Sequence, residues 1–441
     1  MKEIIEVALF LIFAKLFLFW LWLWQLKEYH TGRFLAHFKE GQAIKKIISS
    51  LWRLKYPKFT KKIIVITFVG LFLAILMFSK GLYPFTLILI IFIPLIFQIP
   101  TVIWRRGFLA KARKKREQFK NLLVIGITGS YGKTLTKEFL YDILSSKFNV
   151  LKTKEHQNSE VGISRCILEE LRPEHEIFIV EMGAYSRGGI KLLCDIVRPK
   201  IGVLTGINEQ HMATFGSLEN IIKTKYELIE SLPEDGTAFF NAKNKYCVEL
   251  YDETLRRGSG QAFLYGEGAT FFGQENILGA QAVARYLGIH IEVEPQYVEK
   301  SAFLPVKKGI NGLNIIDSTY SANPTGVIAH LEYLKTLRQA RGRVVIVMPC
   351  LIELGSASKE IHQRIGKKIG EICDLAIITT GDRFKEIKAA FAEASASQGA
   401  EILFLENPQE IFEKIKSFCK EGDAVLLESR VPSQLISLLA G

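Results

Sequence analysis

Three long apolar stretches open the chain. Residues 7–24, VALFLIFAKLFLFWLWLW, are apolar except for Lys15, and residues 63–79 and 85–103 carry no charge. Each approaches the ~18–20 residues with which a helix crosses a bilayer. The pattern therefore predicts three transmembrane helices, at about 7–24, 63–79 and 85–103. Pro94 and Pro100 fall inside the third and predict a kink there. Lys15 is read as a side chain that snorkels or faces a neighbouring helix. The opening residues MKEIIE lack the positive region of a cleaved signal peptide.

Beyond residue 117 the pattern changes to short apolar runs alternating with helical periods. LLVIGIT, EIFIVEMG, IGVLTGIN and TAFFNA read as strands, with helices KTLTKEFLYDILSSK, SLENIIKTKYELIESL and NILGAQAVARYLG between or after them. That rhythm predicts a doubly wound, mostly parallel sheet. LNIIDS, RVVIVMP, LAIITTG and AVLLES repeat it on a smaller scale near the C-terminus. The expected organisation is a membrane region over 1–117, a P-loop α/β domain over 118–298 and a smaller Rossmann-like α/β domain over 299–441. The last boundary is drawn in the mostly polar stretch around Glu292–Lys300.

Charge refines this picture. The net charge of +12 is concentrated beside the apolar runs: residues 25–62 hold ten Lys or Arg against two Glu, and RRGFLAKARKKR (105–116) adds seven positives. The remainder is slightly acidic, so the basic balance does not point to nucleic acid. Positive loops stay cytoplasmic. The expectation is a multi-pass protein of the cell membrane with its N-terminus outside and everything after residue 105 in the cytoplasm. The basic loop at 25–62 reads as a topology signal that touches anionic membrane lipids, or as a cradle for an anionic lipid-linked substrate. The six cysteines are scattered with no CxxC pair, which fits reduced thiols and offers no zinc site.

The candidate chemistry starts at VIGITGSYGKTLTKEFL, residues 124–140. Gly129 and Gly132 let backbone amides turn toward phosphate oxygens. Lys133 reaches the β- and γ-phosphates, the Thr134 hydroxyl suits Mg²⁺, and the following helix aims its positive end at the anion. Ile127 stands where the strict G-x-x-x-x-G-K-[ST] pattern has its first glycine. Glu181 ends an apolar strand in IFIVEMGA, where α/β proteins bind ligands, and its carboxylate suits a hard Mg²⁺ ion. His211 follows the next strand and Lys225 lies on a helix.

The order of these parts resembles the Mur ligase family, ATP-dependent amide-bond ligases of peptidoglycan assembly, over roughly residues 120–435. TGSYGKT resembles the family's P-loop, which lacks the first Walker glycine in the same way. This assigns Thr128, Gly129, Ser130, Tyr131, Gly132, Lys133 and Thr134 to ATP. QNSEVGISRCIL resembles the segment that follows, with Asn158 and Gly162 in place. EMGA carries Glu181, and HMATFGSLENIIKTK carries His211 and Lys225. The resemblance implies that Glu181, His211 and Thr134 hold Mg²⁺ together with Lys225, which the family carbamylates. DSTYSANP resembles the D-x-x-Y-N-A-N-P element, with Asp317, Tyr320, Asn323 and Pro324, and Asn276 joins these on the nucleotide side. IELG and ESR match two further landmarks. Catalysis is thereby implied for Lys133, Glu181, His211 and Lys225. A carboxylate-bearing wall-precursor acceptor attacks the ATP γ-phosphate, and an amine, an amino acid or dipeptide, displaces phosphate from the acyl phosphate. The pattern is most similar to members that add D-alanyl-D-alanine.

Departures from the family leave alternatives open. The membrane spans stand in place of the family's UDP-sugar-binding domain, which makes a lipid-linked acceptor attractive. The 265–276 segment is short. Glu275 replaces a His before Asn276, and Gly279 replaces an Asn. Phe303 stands where an Arg is expected. Ser321 replaces the first Asn of DSTYSANP, Pro349-Cys350 replace Gly-Asp, and Leu427-Glu428 replace Lys-Gly. The alternatives are a ligase for another polymer, such as a poly-γ-glutamate chain, and a degenerate nucleotide-binding membrane scaffold.

Overall fold

The computed structural model describes residues 2–26, 50, 52, 54–154, 157–258, 260–270, 273–290, 306–319, 323–396 and 399–440. They form two compact units. One comprises Met1–Gln118 with Glu160–Glu169, the other Phe119–Ser159 with Glu170–Gly441.

In the first unit, helices Lys2–Leu26, Lys61–Ser79 and Thr86–Ile96 bury Phe13, Phe17, Leu21, Ile63, Ile66, Ala74, Leu89 and Ile93 against one another. Their outer faces remain apolar, with Ile64, Phe68, Phe72 and Ile75 all exposed. A core helix of a soluble protein would cover such residues. Among the described residues two helices, Ile4–Leu26 and Lys61–Ser79, are long and apolar enough to cross a membrane.

The third expected span, 85–103, is not one continuous helix. It is divided at Phe97 into Thr86–Ile96 and Gln98–Glu117. Pro100 has no amide to offer the Ile96 carbonyl four residues earlier. The helix therefore ends at Ile96 and restarts with Pro100 in its first turn, where no intrahelical amide bond is due. The second piece runs on through the basic residues Arg105–Arg116.

The second unit holds two six-stranded sheets. Strands β1 (Leu123–Thr128), β2 (Val150–Lys152), β3 (Ile177–Met182), β4 (Ile201–Leu204), β5 (Thr237–Asn241) and β6 (Gln261–Tyr265) pair in the order β2-β3-β1-β4-β5-β6. Every pair is parallel. Strands β7 (Val306–Lys308), β8 (Asn314–Ser318), β9 (Val344–Met348), β10 (Leu375–Ile378), β11 (Glu401–Phe404) and β12 (Ala424–Glu428) pair in the order β11-β10-β9-β12-β8-β7. Only β7 there runs antiparallel.

β9 shows why these runs become central strands. All five residues of VVIVM are buried, and alternate side chains point to opposite faces. Val344, Ile346 and Met348 join one core with Val327 and Leu331 of helix Pro324–Arg341 and with Ile361 and Ile365 of Ser358–Ile372. Val345 and Val347 join another with Ile411, Ile415, Leu435 and Leu439. A sheet covered on both faces needs unbroken apolar strands.

In the first sheet, β1 lies between β3 and β4, so the chain leaves it in opposite directions on either side. The crevice at the carboxyl ends of β1, β3 and β4 is the topological switch point where such sheets bind ligands. The expected border between the two α/β domains lies outside the described residues.

Candidate active site

β1 ends at Thr128 and helix Lys133–Leu144 begins four residues after Gly129. Two glycines make the turn between them. A Cβ on Gly132, whose φ is +79°, would meet Asn276 Oδ1 at 2.2 Å; one on Gly129 would meet Thr205 Oγ1 at 2.2 Å. The loop is thus wedged between the ends of β1 and β4 and helix Gln274–Tyr286. Ser130 is held by Asn208, whose amide donates to its Oγ at 3.2 Å, and Tyr131 is buried. Asn276 is buried against the loop and faces the Thr136 hydroxyl at 3.3 Å. The first amides of the helix have no carbonyl within it to bond, and they open toward the loop.

Lys133 folds back over this loop, donating to the carbonyls of Gly129 (2.8 Å) and Ser130 (3.3 Å). Burial lowers its pKa, and Glu181 opposes that shift. Glu181 lies in register with Ile127 one strand away. Its Oε2 accepts from Thr134 Oγ1 (2.9 Å) and pairs with Lys137 Nζ (3.2 Å), while Oε1 accepts from Asn158 Nδ2 (3.0 Å). Burial would raise the carboxyl's pKa. The positive charges of Lys133 and Lys137, with the Asn158 and Thr134 hydrogen bonds, outweigh it and hold Glu181 below the usual range.

Lys225 lies buried on helix Leu218–Glu230, which Ser217 caps by accepting from the Asn220 amide. Burial and then the charge of Lys133 push its ammonium down to about 7, against a smaller opposing pull from Glu227. His211 precedes the short helix Met212–Phe215 in a left-handed conformation, φ +64°. Its Nδ1 is 2.7 Å from Glu353 Oε2, and the Tyr185 ring stands edge-on to it at 4.9 Å. Burial lowers the imidazole's pKa. Glu353 pulls it back up, and Lys225 and Lys133 push it further down. Lys133, Glu181, His211 and Lys225 therefore share one electrostatic neighbourhood.

The C-terminal sheet meets this crevice through the loops at the carboxyl ends of β8 and β9. Asn323 caps helix Pro324–Arg341, accepting from Gly326 N at 3.0 Å. Its Oδ1 also accepts from Asn208 Nδ2 at 2.9 Å, and Thr325 Oγ1 accepts from the same nitrogen at 2.9 Å. Asp317 turns its carboxylate onto Thr319 N (3.1 Å) and Thr319 Oγ1 (2.7 Å). At the end of β12, Glu428 is fully buried with Oε2 2.7 Å from His330 Nδ1. Glu275 is also buried and spent locally, accepting from Gly273 N at 2.7 Å. Tyr320, Ser321 and Phe303 lie outside the described residues.

Three participants escape a reading of the sequence alone: Lys137, Asn208 and Glu353. Lys137 carried a signal, since it follows Lys133 by one helical turn and so shares its face. Glu353 lies in the IELG landmark, but nothing there told its role, and Asn208 carried no signal; each acts across the two domains. Among the described residues no three His, Cys, Asp or Glu side chains form a ready-made metal site. The crevice offers instead the Glu181 carboxylate, the Thr134 hydroxyl, the His211 imidazole and the buried Lys225 amine.

Comparison with known proteins agrees with this geometry. A family model described as "Mur ligase middle domain" matches residues 127–293, and one described as "Mur ligase, glutamate ligase domain" matches 304–430. The UDP-N-acetylmuramoyl-tripeptide–D-alanyl-D-alanine ligase of Synechocystis sp. is 29% identical over 346 residues, 71% of this chain and 73% of that protein. The enzyme of the same name from Bacillus subtilis is 27% identical over 339 residues, covering 69% of this chain and 72% of its own. Among solved structures, MurF ligase from Thermotoga maritima in complex with ADP aligns with a TM-score of 0.62 at 25% identity, over 76% of this chain and 83% of that one. MurF from Acinetobacter baumannii shares the fold, with a TM-score of 0.63 at 24% identity over 76% and 80% of the two chains. The two family matches together span most of the chain, in the order of its two sheets, with the loop after β1 at the head of the first. The chain belongs to the Mur ligase family of ATP-dependent ligases.

Proposed function

We propose that this protein is a membrane-attached ligase of cell-wall precursor synthesis, joining a carboxylate-bearing acceptor to an amine through an acyl phosphate. The acceptor is a muramoyl-tripeptide, lipid-linked or UDP-linked, and the amine is D-alanyl-D-alanine, as the names of the Synechocystis and Bacillus relatives suggest. The apolar helices hold the chain in the membrane, and exposed basic residues such as Arg106, Lys111 and Lys114 touch anionic lipids. With the divided 85–103 segment making a third crossing, the N-terminus lies outside and both α/β domains, about 118–298 and 299–441, are cytoplasmic.

The observation that carries this reading is the meeting of half-buried Lys133 at a helix N-terminus with the buried Lys225 amine and the Glu181 carboxylate. Residues Thr128–Thr134 cradle the ATP phosphates, and Lys133 leaves its loop carbonyls to meet the γ-phosphoryl oxygens. Asn276, Asp317, Tyr320 and Asn323 border the nucleotide. As an ammonium, Lys225 is opposed by Lys133; carbamylation removes that repulsion and supplies anionic oxygens. A pKa of about 7 leaves a large neutral fraction to react with CO₂. With that change the donor set of Thr134, Glu181, His211 and Lys225 suits a hard, oxygen-loving cation such as Mg²⁺. The metal would supply electrostatic stabilisation of charge on the transferring phosphoryl group.

The acceptor carboxylate attacks the γ-phosphorus, ADP leaves, and the acyl phosphate forms. The amine then adds to the acyl carbon, loses its proton, and phosphate departs. Lys133 neutralises charge developing on the phosphoryl oxygens in the first step. Contacts of Asn208 with Asn323 and Thr325 draw the amine-side domain over the crevice and exclude water from the acyl phosphate.

Trapping tests this reading. With ATP, Mg²⁺ and the tripeptide acceptor but no amine, hydroxylamine should yield the acceptor hydroxamate and ADP in equal amounts. Nucleotide binding without any hydroxamate would instead favour the scaffold reading.

A further inference from the structure

We infer that Glu353, on the C-terminal side of the crevice, is a positioning residue for His211, and that docking of the C-terminal domain is what orients this imidazole for metal. The inference rests on the metal role proposed for His211. An ionised carboxylate only accepts hydrogen bonds. The 2.7 Å contact between His211 Nδ1 and Glu353 Oε2 therefore places the proton on Nδ1 and leaves the Nε2 lone pair as the ring's ligating position. Histidines that bind metal are commonly oriented in this way by a carboxylate on the other nitrogen.

Glu353 grips the His211 segment twice. Besides the side-chain contact, its carbonyl accepts from the Ala213 amide at 2.9 Å. Both partners are held in left-handed backbone, His211 at φ +64° and Glu353 at φ +65°. For residues with a Cβ that conformation is strained and persists where surrounding contacts over-determine it. Glu353 is 8% exposed, so the carboxylate side of the contact is sheltered from competing water, while His211 is partly exposed. The two residues are 142 positions apart and hang from different sheets. The imidazole's tautomer and direction are thus set only when the two α/β domains are together. Both of these contacts of Glu353 fall on the His211 segment, and it acts through His211.

The test uses the full-length protein in detergent. ADP binding is measured by calorimetry across a series of Mg²⁺ concentrations, with melting temperatures recorded alongside. Glu353→Ala should raise the half-saturating Mg²⁺ concentration about 10–100-fold, the usual loss when such a supporting residue is removed. Glu353→Gln, whose carbonyl still accepts from Nδ1–H, should recover most of it. Arg364→Ala removes a neighbouring contact between the same domains, the 3.9 Å pair with Glu209, without touching His211, and should leave the Mg²⁺ midpoint in place. An unchanged midpoint in Glu353→Ala, or an equal shift in Arg364→Ala, overturns the inference. A wild-type protein whose ADP binding ignores Mg²⁺ overturns the functional reading and this inference with it. Should Glu353→Ala fail to fold, ¹⁵N-histidine spectra of the metal-free wild type decide. The resonance lost in His211→Gln should be the Nδ1–H tautomer, and the Nε2–H tautomer there contradicts the proposal.

Discussion

At the scale of single residues, the crevice is a set of buried charges that hold one another in unusual states. Lys137 is fully buried and pairs with Glu181 at 3.2 Å. Replacing it by Met leaves the carboxylate short of its nearest cation, so Lys137→Met should lower stability by about 3 kcal/mol, read as a fall in denaturation midpoint. A surface lysine would shift it by almost nothing. Lys225 makes the opposite prediction. Lys225→Ala removes a buried amine already opposed by Lys133, so the fold should survive and nucleotide should still bind, while ligation is lost. If ligation persists in Lys225→Ala, the carbamate is wrong. The pKa near 7 also sets a direction with pH. Below about 7 the amine is protonated and cannot take CO₂; above it the neutral form dominates. The dissolved CO₂ needed for half-maximal activity should therefore be higher at pH 6 than at pH 8, and equal requirements would count against Lys225 as the modified group. Gly132→Ala should abolish ATP binding, because its Cβ would stand 2.2 Å from Asn276 Oδ1.

At the scale of elements, what could be read from the sequence depended on how local its cause was. VVIVM is an unbroken apolar run and IFIVEM is interrupted only by Glu181 near its end, and they became β9 and β3 as expected. β2 and β7 have three residues each and β6 is half exposed at an edge; none carries enough apolar pattern to announce itself. The Gly-rich turn and Glu181 at a strand end were legible because strand, turn and helix adjoin in sequence. The Lys137–Glu181 and His211–Glu353 contacts were not, since they join residues 44 and 142 positions apart. The third apolar run shows a local cause with a subtler effect. Its composition reads as one span, but Pro100 withdraws the amide that Ile96 needs. Pro100→Ala restores that amide, so hydrogen exchange around residues 96–101 should slow as the helix closes across Phe97. Unchanged exchange would place the cause of the break elsewhere.

At the scale of the whole molecule, two kinds of surface coexist in one chain. The first unit shows apolar residues outward, and the second packs its apolar strands between layers of helices. The sheets of the second unit have complete cores of their own, so a protein starting at residue 118 should fold, stay in solution without detergent and bind ATP. Aggregation of that fragment would mean that the N-terminal helices are structural to it. The central claim, however, is that the crevice activates a carboxylate for an amine. Its most direct test is ADP release by the full-length protein in detergent, with ATP, Mg²⁺, UDP-N-acetylmuramoyl-tripeptide or its lipid-linked form, and D-alanyl-D-alanine. The account predicts ADP release that requires both the acceptor and the amine and is matched by amide product. ADP release indifferent to both substrates, or none with either acceptor, would contradict it.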